Sequence, residues 1–243
     1  MIGMEPTLGV APAEDARLFV LLCPVGPYYA TGFKPVNLLC DPSYVRAWPG
    51  GCGFTKMGSN YAPTLWVQKR AEREGCEQVL WVFGEEQEVT EVGAMNLFVL
   101  MRSARTGEVE LVTPPLTSGA VLPGVTRQSV LELARDIAGL QVEERKLTLP
   151  ELLAASREGR LLEMFGCGTA AIISPVGGLK CEGEVISVPT PPLGLASQML
   201  TQLQDIYYGR YKHTWAVDIQ ENTSQDLALA QREQKNLSSV SLL

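Results

Sequence analysis

The segment Trp48-Pro49-Gly50-Gly51-Cys52-Gly53-Phe54-Thr55-Lys56-Met57-Gly58-Ser59-Asn60-Tyr61 sets one lysine among four glycines. Glycine at this density breaks helix and strand alike, so the backbone takes special dihedrals or lies close against something. Lys56, in a Gly-x-x-Lys-x-Gly setting, is therefore an amine presented by backbone that can sit against a planar ligand. Burial or neighbouring cations would favour its neutral, nucleophilic form. On local composition alone, a surface lysine in a glycine-rich loop is the commoner case.

Outward from this loop, helix and strand signals mix. Ala62 to Cys76 has helical spacing, with Leu65, Val67 and Ala71 on one side and Lys69, Arg70, Glu72 and Arg73 mostly on the other. Val79–Phe83, Glu88–Glu91, Met95–Met101 and Val109–Val112 read as strands, with Gly93 between the second and third. Arg127 to Leu140 predicts a helix with Val130, Leu131, Ala134, Ile137 and Ala138 as its apolar stripe. Thr148-Leu149-Pro150-Glu151 has capping-box spacing and starts a short helix through Arg157. Gly166-Cys167-Gly168-Thr169-Ala170 reads as a second glycine-rich turn, and a last helix runs from about Leu195 to Tyr208. Upstream, the apolar run Leu18 to Val25 reads as a buried strand. Strands and helices without strict alternation predict a mixed α/β fold rather than a doubly wound sheet.

Composition excludes several classes of partner. The net charge of −7 and a pI near 4.9 disfavour nucleic acid, whose phosphates select basic faces. Leu18 to Val25 is too short to span a bilayer, so no membrane is expected. Glu5, Glu14 and Asp15 precede it where a secretory signal carries positive charge, so the expected compartment is the cytoplasm. The cysteines at 23, 40, 52, 76, 167 and 181 are scattered, without a CxxC pair and with His213 as the one histidine. That spacing predicts reduced thiols and no metal site.

Three further features carry possible chemistry. Glu91, in Thr90-Glu91-Val92-Gly93, lies between apolar strands, where a carboxylate must be paired or neutral. A protonated pyridine nitrogen would suit it; a strand-end glutamate facing water fits the pattern equally well. Gly124-Val125-Thr126 stands at a helix mouth whose open N–H groups and positive dipole end attract anions, unless it is an ordinary N-cap. Gly168-Thr169-Ala170 offers further N–H donors and a hydroxyl, or simply a tight turn.

Taken in order, these stretches resemble branched-chain amino-acid aminotransferases. The likeness is carried by Lys56-Met57-Gly58-Ser59-Asn60-Tyr61, Leu80-Trp81 with Thr90-Glu91-Val92-Gly93, Leu122-Pro123-Gly124-Val125-Thr126-Arg127 and Met164-Phe165-Gly166-Cys167-Gly168-Thr169-Ala170. Glu5-Pro6, Leu8-Gly9-Val10 and Val45-Arg46-Ala47-Trp48 extend it, so it runs from about Ile2 to Trp215. The resemblance implies fold type IV of the pyridoxal-phosphate enzymes: the large C-terminal domain of the D-amino-acid aminotransferase-like fold, a mixed β-sheet or pseudo-barrel with surrounding helices. It implies pyridoxal 5′-phosphate as cofactor, a homodimer, and amino acids and 2-oxo acids as substrates.

The roles it implies are specific. Lys56 would be the Schiff-base lysine and move the proton between the substrate Cα and the cofactor's C4′. Tyr61 would hydrogen-bond the phenolic oxygen, and Glu91 would hold the pyridinium nitrogen. The backbone of Val125 and Thr126 and the Thr169 hydroxyl would cradle the phosphate. Ala170 would offer its N–H to the substrate carboxylate, with Tyr28 and Ala94 beside the substrate. The family also carries an earlier, smaller domain with a phosphate-binding arginine, so residues 1–35 are expected to be its remnant and the interdomain connection. Residues 36–218 would form the cofactor-binding domain, and 219–243 a polar, disordered tail. Ala94 stands where relatives carry a substrate-binding threonine, and Ala171 and Ser174 where mammalian relatives carry a redox CxxC pair.

The resulting expectation is reversible amino transfer from leucine, isoleucine or valine to 2-oxoglutarate, with mitochondrion as the alternative compartment. A D-amino-acid aminotransferase or aminodeoxychorismate lyase is disfavoured by the match around Lys56 and Glu91. The alternative of a different class is a truncated isoform, weakly active or inactive, serving as an interaction partner.

Overall fold

The computed structural model describes residues 1–26, 32–137, 139–181 and 183–217. Tyr28 and the tail 219–243 therefore lie outside the described residues, as does Ala138 of the expected helix stripe. The first 26 residues hold only a short antiparallel pair, β1 (Ile2–Gly3) with β2 (Ala16–Arg17). The buried strand expected over Leu18–Val25 is not formed: Leu18, Val20, Leu21 and Leu22 are all more than three-quarters exposed. Apolar, β-favouring residues supply a strand only where another edge accepts their backbone groups, and no described residue does so here.

From residue 36 onward the core is continuous. β3 (Val36–Cys40) is followed by α1 (Thr64–Arg73), β4 (Gln78–Phe83), β5 (Glu88–Val92), β6 (Met95–Arg102) and β7 (Val109–Thr113). Then come α2 (Val125–Arg135), β8 (Gln141–Glu144), α3 (Leu149–Arg157), β9 (Leu161–Gly168), β10 (Ile172–Cys181), β11 (Glu184–Ser187) and α4 (Leu195–Tyr207). Among the described residues, nine strands pair into one sheet in the order β11-β10-β3-β4-β5-β6-β7-β8, with β9 bridging β10 and β6. That bridge closes a ring, β10-β3-β4-β5-β6-β9, while β7, β8 and β11 extend outside it. β3 lies parallel to both β10 and β4, and the other ring pairings are antiparallel, which makes the mixed pseudo-barrel expected from the resemblance.

Successive strand residues point to opposite faces, and here both faces are covered. Leu97, Val99 and Met101 of β6 join Leu38, Leu80, Val92 and Val176 in one cluster, with α3 packed through Leu149 and Leu152. Phe98 of β6 points the other way, stacks on Phe165 at 5.3 Å, and packs with Val130 and Leu131 of α2 and Met199 and Leu203 of α4. α1 covers a third cluster through Val67 and Ala71 against Leu39, Val79 and Trp81. Leu65, expected on that face, is 65% exposed, because Val67 and Ala71 alone align with the sheet. α2 also ends earlier than expected, at Arg135: Ile137 turns back in a tighter bond to Ala134 O at 3.1 Å, and Gly139 follows at φ +77°. Thr148 caps α3 as its spacing predicts, accepting from Glu151 N at 3.3 Å.

Two tight connections aim the site. β5 and β6 are joined by Gly93-Ala94 alone, so Val92 pairs with Met95 and Glu91 with Asn96. Gly93 has φ +57°, which the first position of such a two-residue turn requires. β9 and β10 are joined through Thr169, Ala170 and Ala171. Gly166 and Gly168 belong to β9 rather than to this turn; Gly166 is needed where Met95 and Val92 would meet a Cβ at 2.8 Å. Gly93→Ala should lower the unfolding free energy by about 1–2 kcal/mol, because an L side chain at that φ is strained. Urea unfolding of the two proteins checks it, and an unchanged midpoint would show that the turn tolerates a side chain.

Candidate active site

The β5–β6 hairpin builds a buried acid. Glu91 is 3% exposed, which answers the alternative of a strand end facing water. Its Oε1 accepts from Leu122 N at 2.8 Å and from Asn96 Nδ2 at 3.1 Å. Its Oε2 lies 3.2 Å from Arg46 Nε, yet that N–H is not aimed at it and makes no hydrogen bond. The two charges attract, and Oε2 keeps acceptor capacity. Burial pushes the Glu91 carboxyl up to about 7, against the pull of Arg46, the Leu122 N–H and the Lys56 charge. The carboxyl thus waits near neutrality for a cationic partner that would hold it ionised.

Arg46 ties this acid to the lysine loop. It is 8% exposed, and its Nη2 donates to Ala120 O and, at 3.4 Å, to Gly53 O. Beyond Gly53 the loop is held from inside by Asn60. Asn60 Nδ2 donates to Cys52 O at 2.7 Å and Thr55 O at 2.9 Å, while its Oδ1 accepts from Cys52 Sγ at 3.4 Å. Lys56 follows directly and is exposed at the rim of the cavity rather than buried, with Nζ 5.5 Å from the centre of the Tyr61 ring. Glycine lets the loop bend here; Asn60 fixes which way it bends.

The helix mouth supplies the opposite pole. Gly124 is the N-cap of α2 and has no side chain to occupy the first N–H groups, so the ordinary capped start is not what forms. Val125 is exposed, whereas Thr126 is buried. The exposed Thr169 and Ala170 of the β9–β10 turn line the same cavity. The following Ile172 has φ +58°, a strained setting for a β-branched residue.

These parts enclose one cavity of about 400 Å³. Its walls bring together Lys56, Glu91, Ala94, Val125, Thr126, Thr169 and Ala170, segments that lie far apart in sequence. Tyr61 stands behind Lys56 rather than on the wall, and Tyr28 lies outside the described residues. Sequence reasoning gave no role to Arg46, Asn60 or Asn96, although Asn96 also lines the cavity. Asn96 could have been found: a two-residue turn at Gly93-Ala94 fixes it opposite Glu91. Cys167, paired with Asn96 across β6 and β9, lines the same wall, and complete burial holds its thiol neutral. Among the described residues, no group of three or more His, Cys, Asp or Glu is placed to hold a metal ion.

Comparison with known proteins points in one direction. The family model of amino-transferase class IV matches residues 11–178. A branched-chain-amino-acid aminotransferase of Monosiga brevicollis is 51% identical over 219 residues, covering 88% of this chain and 55% of that protein. The cytosolic branched-chain-amino-acid aminotransferase of Mus musculus is 48% identical over 221 residues, covering 90% and 57%. Among solved structures, a branched-chain amino acid aminotransferase from Thermobaculum terrenum in its PLP form is similar at a TM-score of 0.59 and 27% identity. That match covers 73% of this chain and 52% of the other. The chain spans about half the length of the curated relatives it matches.

The raised Glu91 carboxyl has a consequence for stability. The folded protein holds this proton more tightly than an unfolded chain does, near 7 against an ordinary 4.5. Glu91 therefore adds stability below about pH 4.5 and withdraws it as pH rises through 7. Unfolding free energies of wild type and Glu91→Gln, measured from pH 4.5 to 8, should diverge in the variant's favour as pH rises. The change is roughly 3 kcal/mol, from the separation between 4.5 and about 7. A difference that stays flat across this range would place the carboxyl's titration elsewhere.

Proposed function

The chain belongs to the class IV aminotransferases, and from that premise we propose that it carries the pyridoxal-phosphate site of a branched-chain amino-acid aminotransferase. The observation that carries this reading is the single cavity lined by an amine, an acid with an open acceptor and an uncapped helix mouth. Those three poles match an aldehyde, a ring nitrogen and a phosphate. A volume of about 400 Å³ is ordinary for a small-ligand site.

When bound, pyridoxal phosphate supplies an electron sink for charge developing at the substrate Cα. The residues of this chain do the rest. Lys56 would hold the cofactor through its amine and, once the substrate amine has displaced it, would carry the proton between the substrate Cα and the cofactor's C4′. Glu91 would hold the ring nitrogen protonated, with Oε2 as the oxygen free to accept from it. Tyr61, which stands beside Lys56 and off the cavity wall, would reach the phenolic oxygen only by turning inward. The amides of Val125 and Thr126, with the Thr169 hydroxyl, bind the phosphate as helix mouths bind anions. Ala170 N–H would bind the substrate carboxylate. Ala94 offers only a methyl where relatives carry threonine, so carboxylate affinity here leans on Ala170.

The reaction is reversible amino transfer from leucine, isoleucine or valine to 2-oxoglutarate, in the cytoplasm. Residues 36–218 form the cofactor domain, joined through 1–35 and followed by the tail 219–243. Trp48, Phe54, Met57, Leu65 and Trp66 are all more than half exposed, an apolar surface that a second copy in a homodimer would cover. A second reading rests on Leu18–Leu22, which are equally bare: the chain binds cofactor poorly and works in contact with another polypeptide.

Visible absorbance on adding pyridoxal phosphate separates the two readings, and borohydride reduction with peptide mapping locates the attachment. A label on Lys56, lost in Lys56→Ala together with leucine-dependent turnover, supports the first. A label on Lys34 or Lys180 instead would sink it. Glu91→Gln should still bind the cofactor yet lose at least tens-fold in turnover, about 2 kcal/mol of transition-state stabilisation. Unchanged turnover would remove Glu91 from the mechanism.

A further inference from the structure

We propose that Asn96 is a positioning residue that sets the separation between Glu91 and the helix mouth at Gly124–Thr126. A ligand with a cationic N–H at one end and a phosphate at the other then meets both at once. The inference rests on the reading above for the ligand's identity, but its geometry stands on its own. Asn96 is 5% exposed and pairs directly with Glu91 across the β5–β6 hairpin. Its Nδ2 divides two hydrogen bonds between Glu91 Oε1 at 3.1 Å and Leu122 O at 2.8 Å. Leu122 N returns to the same Oε1 at 2.8 Å, so three groups form a closed triangle. On its other side, Asn96 Oδ1 abuts Gly124, where a Cβ would lie only 2.2 Å away. One side chain thus touches the acid, the strand of loop leading to α2, and the N-cap of α2 itself.

Two consequences follow from this arrangement. With Asn96 and Leu122 both donating to Oε1, the carboxylate cannot turn, and Oε2 is left to face a ligand. The loop from Leu122 to Gly124 is also fixed at a set distance from Glu91. No other side chain of this size does both tasks: leucine lacks the donors, aspartate would set a second charge beside a buried carboxyl, and glutamine is one methylene too long for a seat walled by Gly124. The charged and titratable groups around Glu91 are Arg46 on the segment before the lysine loop, Lys56 on that loop, and Cys167 on β9. None of them spans to the helix mouth.

Preorganised spacing favours a ligand that bridges two subsites far more than its separate halves. The experiment compares the full chain with Asn96→Leu and Asn96→Ala, measuring binding of pyridoxal phosphate, pyridoxal and inorganic phosphate. Each half should weaken no more than about threefold, and pyridoxal phosphate about a hundredfold, well beyond the product of the two losses. A loss for the whole that does not exceed that product overturns the proposal.

A second arm needs no cofactor. In carbon-13 carboxyl NMR, assigned with Glu91→Gln, Glu91 should titrate about one pH unit higher in both Asn96 variants, because a donor to the carboxylate is gone. An unmoved titration overturns the assignment. Should the wild type bind none of the three ligands, the cofactor reading fails while the Glu91 titration still decides the role of Asn96. If neither variant folds, Asn96 is a structural anchor of the core and the positioning role is wrong.

Discussion

A carboxylate buried to 3% exposure loses its hydration, and only donors and cations placed around it can offset that loss. Glu91 is surrounded on those terms, and each compensating group comes from a different part of the chain: the Arg46 charge from the approach to the lysine loop, the Asn96 donor from β6, and the Leu122 N–H from the approach to α2. Withdrawing any one leaves a buried charge less compensated, at a cost of several kcal/mol for a broken ion pair. The segments that carry the amine and the helix mouth are therefore held in place by the same carboxylate. What remains unspent is the acceptor capacity of Oε2, next to an arginine N–H that does not use it.

The closed ring of strands explains why this arrangement can be rigid. β5 and β6 are pinned from one side by β4 and from the other by β9, and every strand of the ring has two neighbours within it. Both faces of β6 are packed, through Leu97 and Val99 on one side and Phe98 on the other. A sheet without slack fixes the Glu91–Asn96 register, since a slip by one residue would exchange every side chain between faces. The cavity opens where the hairpin turn, the β9–β10 turn and the mouth of α2 meet, at the edge of that rigid frame.

How much could be read from the sequence depended on how local each feature was. Lys56, the Gly124–Thr126 helix mouth and the Thr169–Ala170 turn announce themselves through glycine spacing and a helix start, both short-range signals. Thr148 was legible for the same reason. Glu91 was legible only as a choice between buried partner and solvated strand end, because burial is a property of the assembled sheet. Arg46, Asn60 and Asn96 act on groups many residues away or across a strand pairing, and a linear pattern does not show such contacts. Leu18–Val25 failed in the opposite sense: its residues favour a strand, but a strand exists only with a partner. Leu65 and the early end of α2 are smaller cases, decided by which residues of a helix happen to meet the sheet and by where glycine permits a turn.

The account stands on one contact, between the free oxygen of Glu91 and a cationic ring nitrogen. A crystal structure of the chain with pyridoxal phosphate measures it directly. The account predicts the ring nitrogen within hydrogen-bond distance of Glu91 Oε2, with the phosphate at the amides of Val125 and Thr126 and the aldehyde carbon joined to Lys56. A bound cofactor whose ring nitrogen faces solvent or another side chain, with Oε2 still lacking a donor, would contradict it.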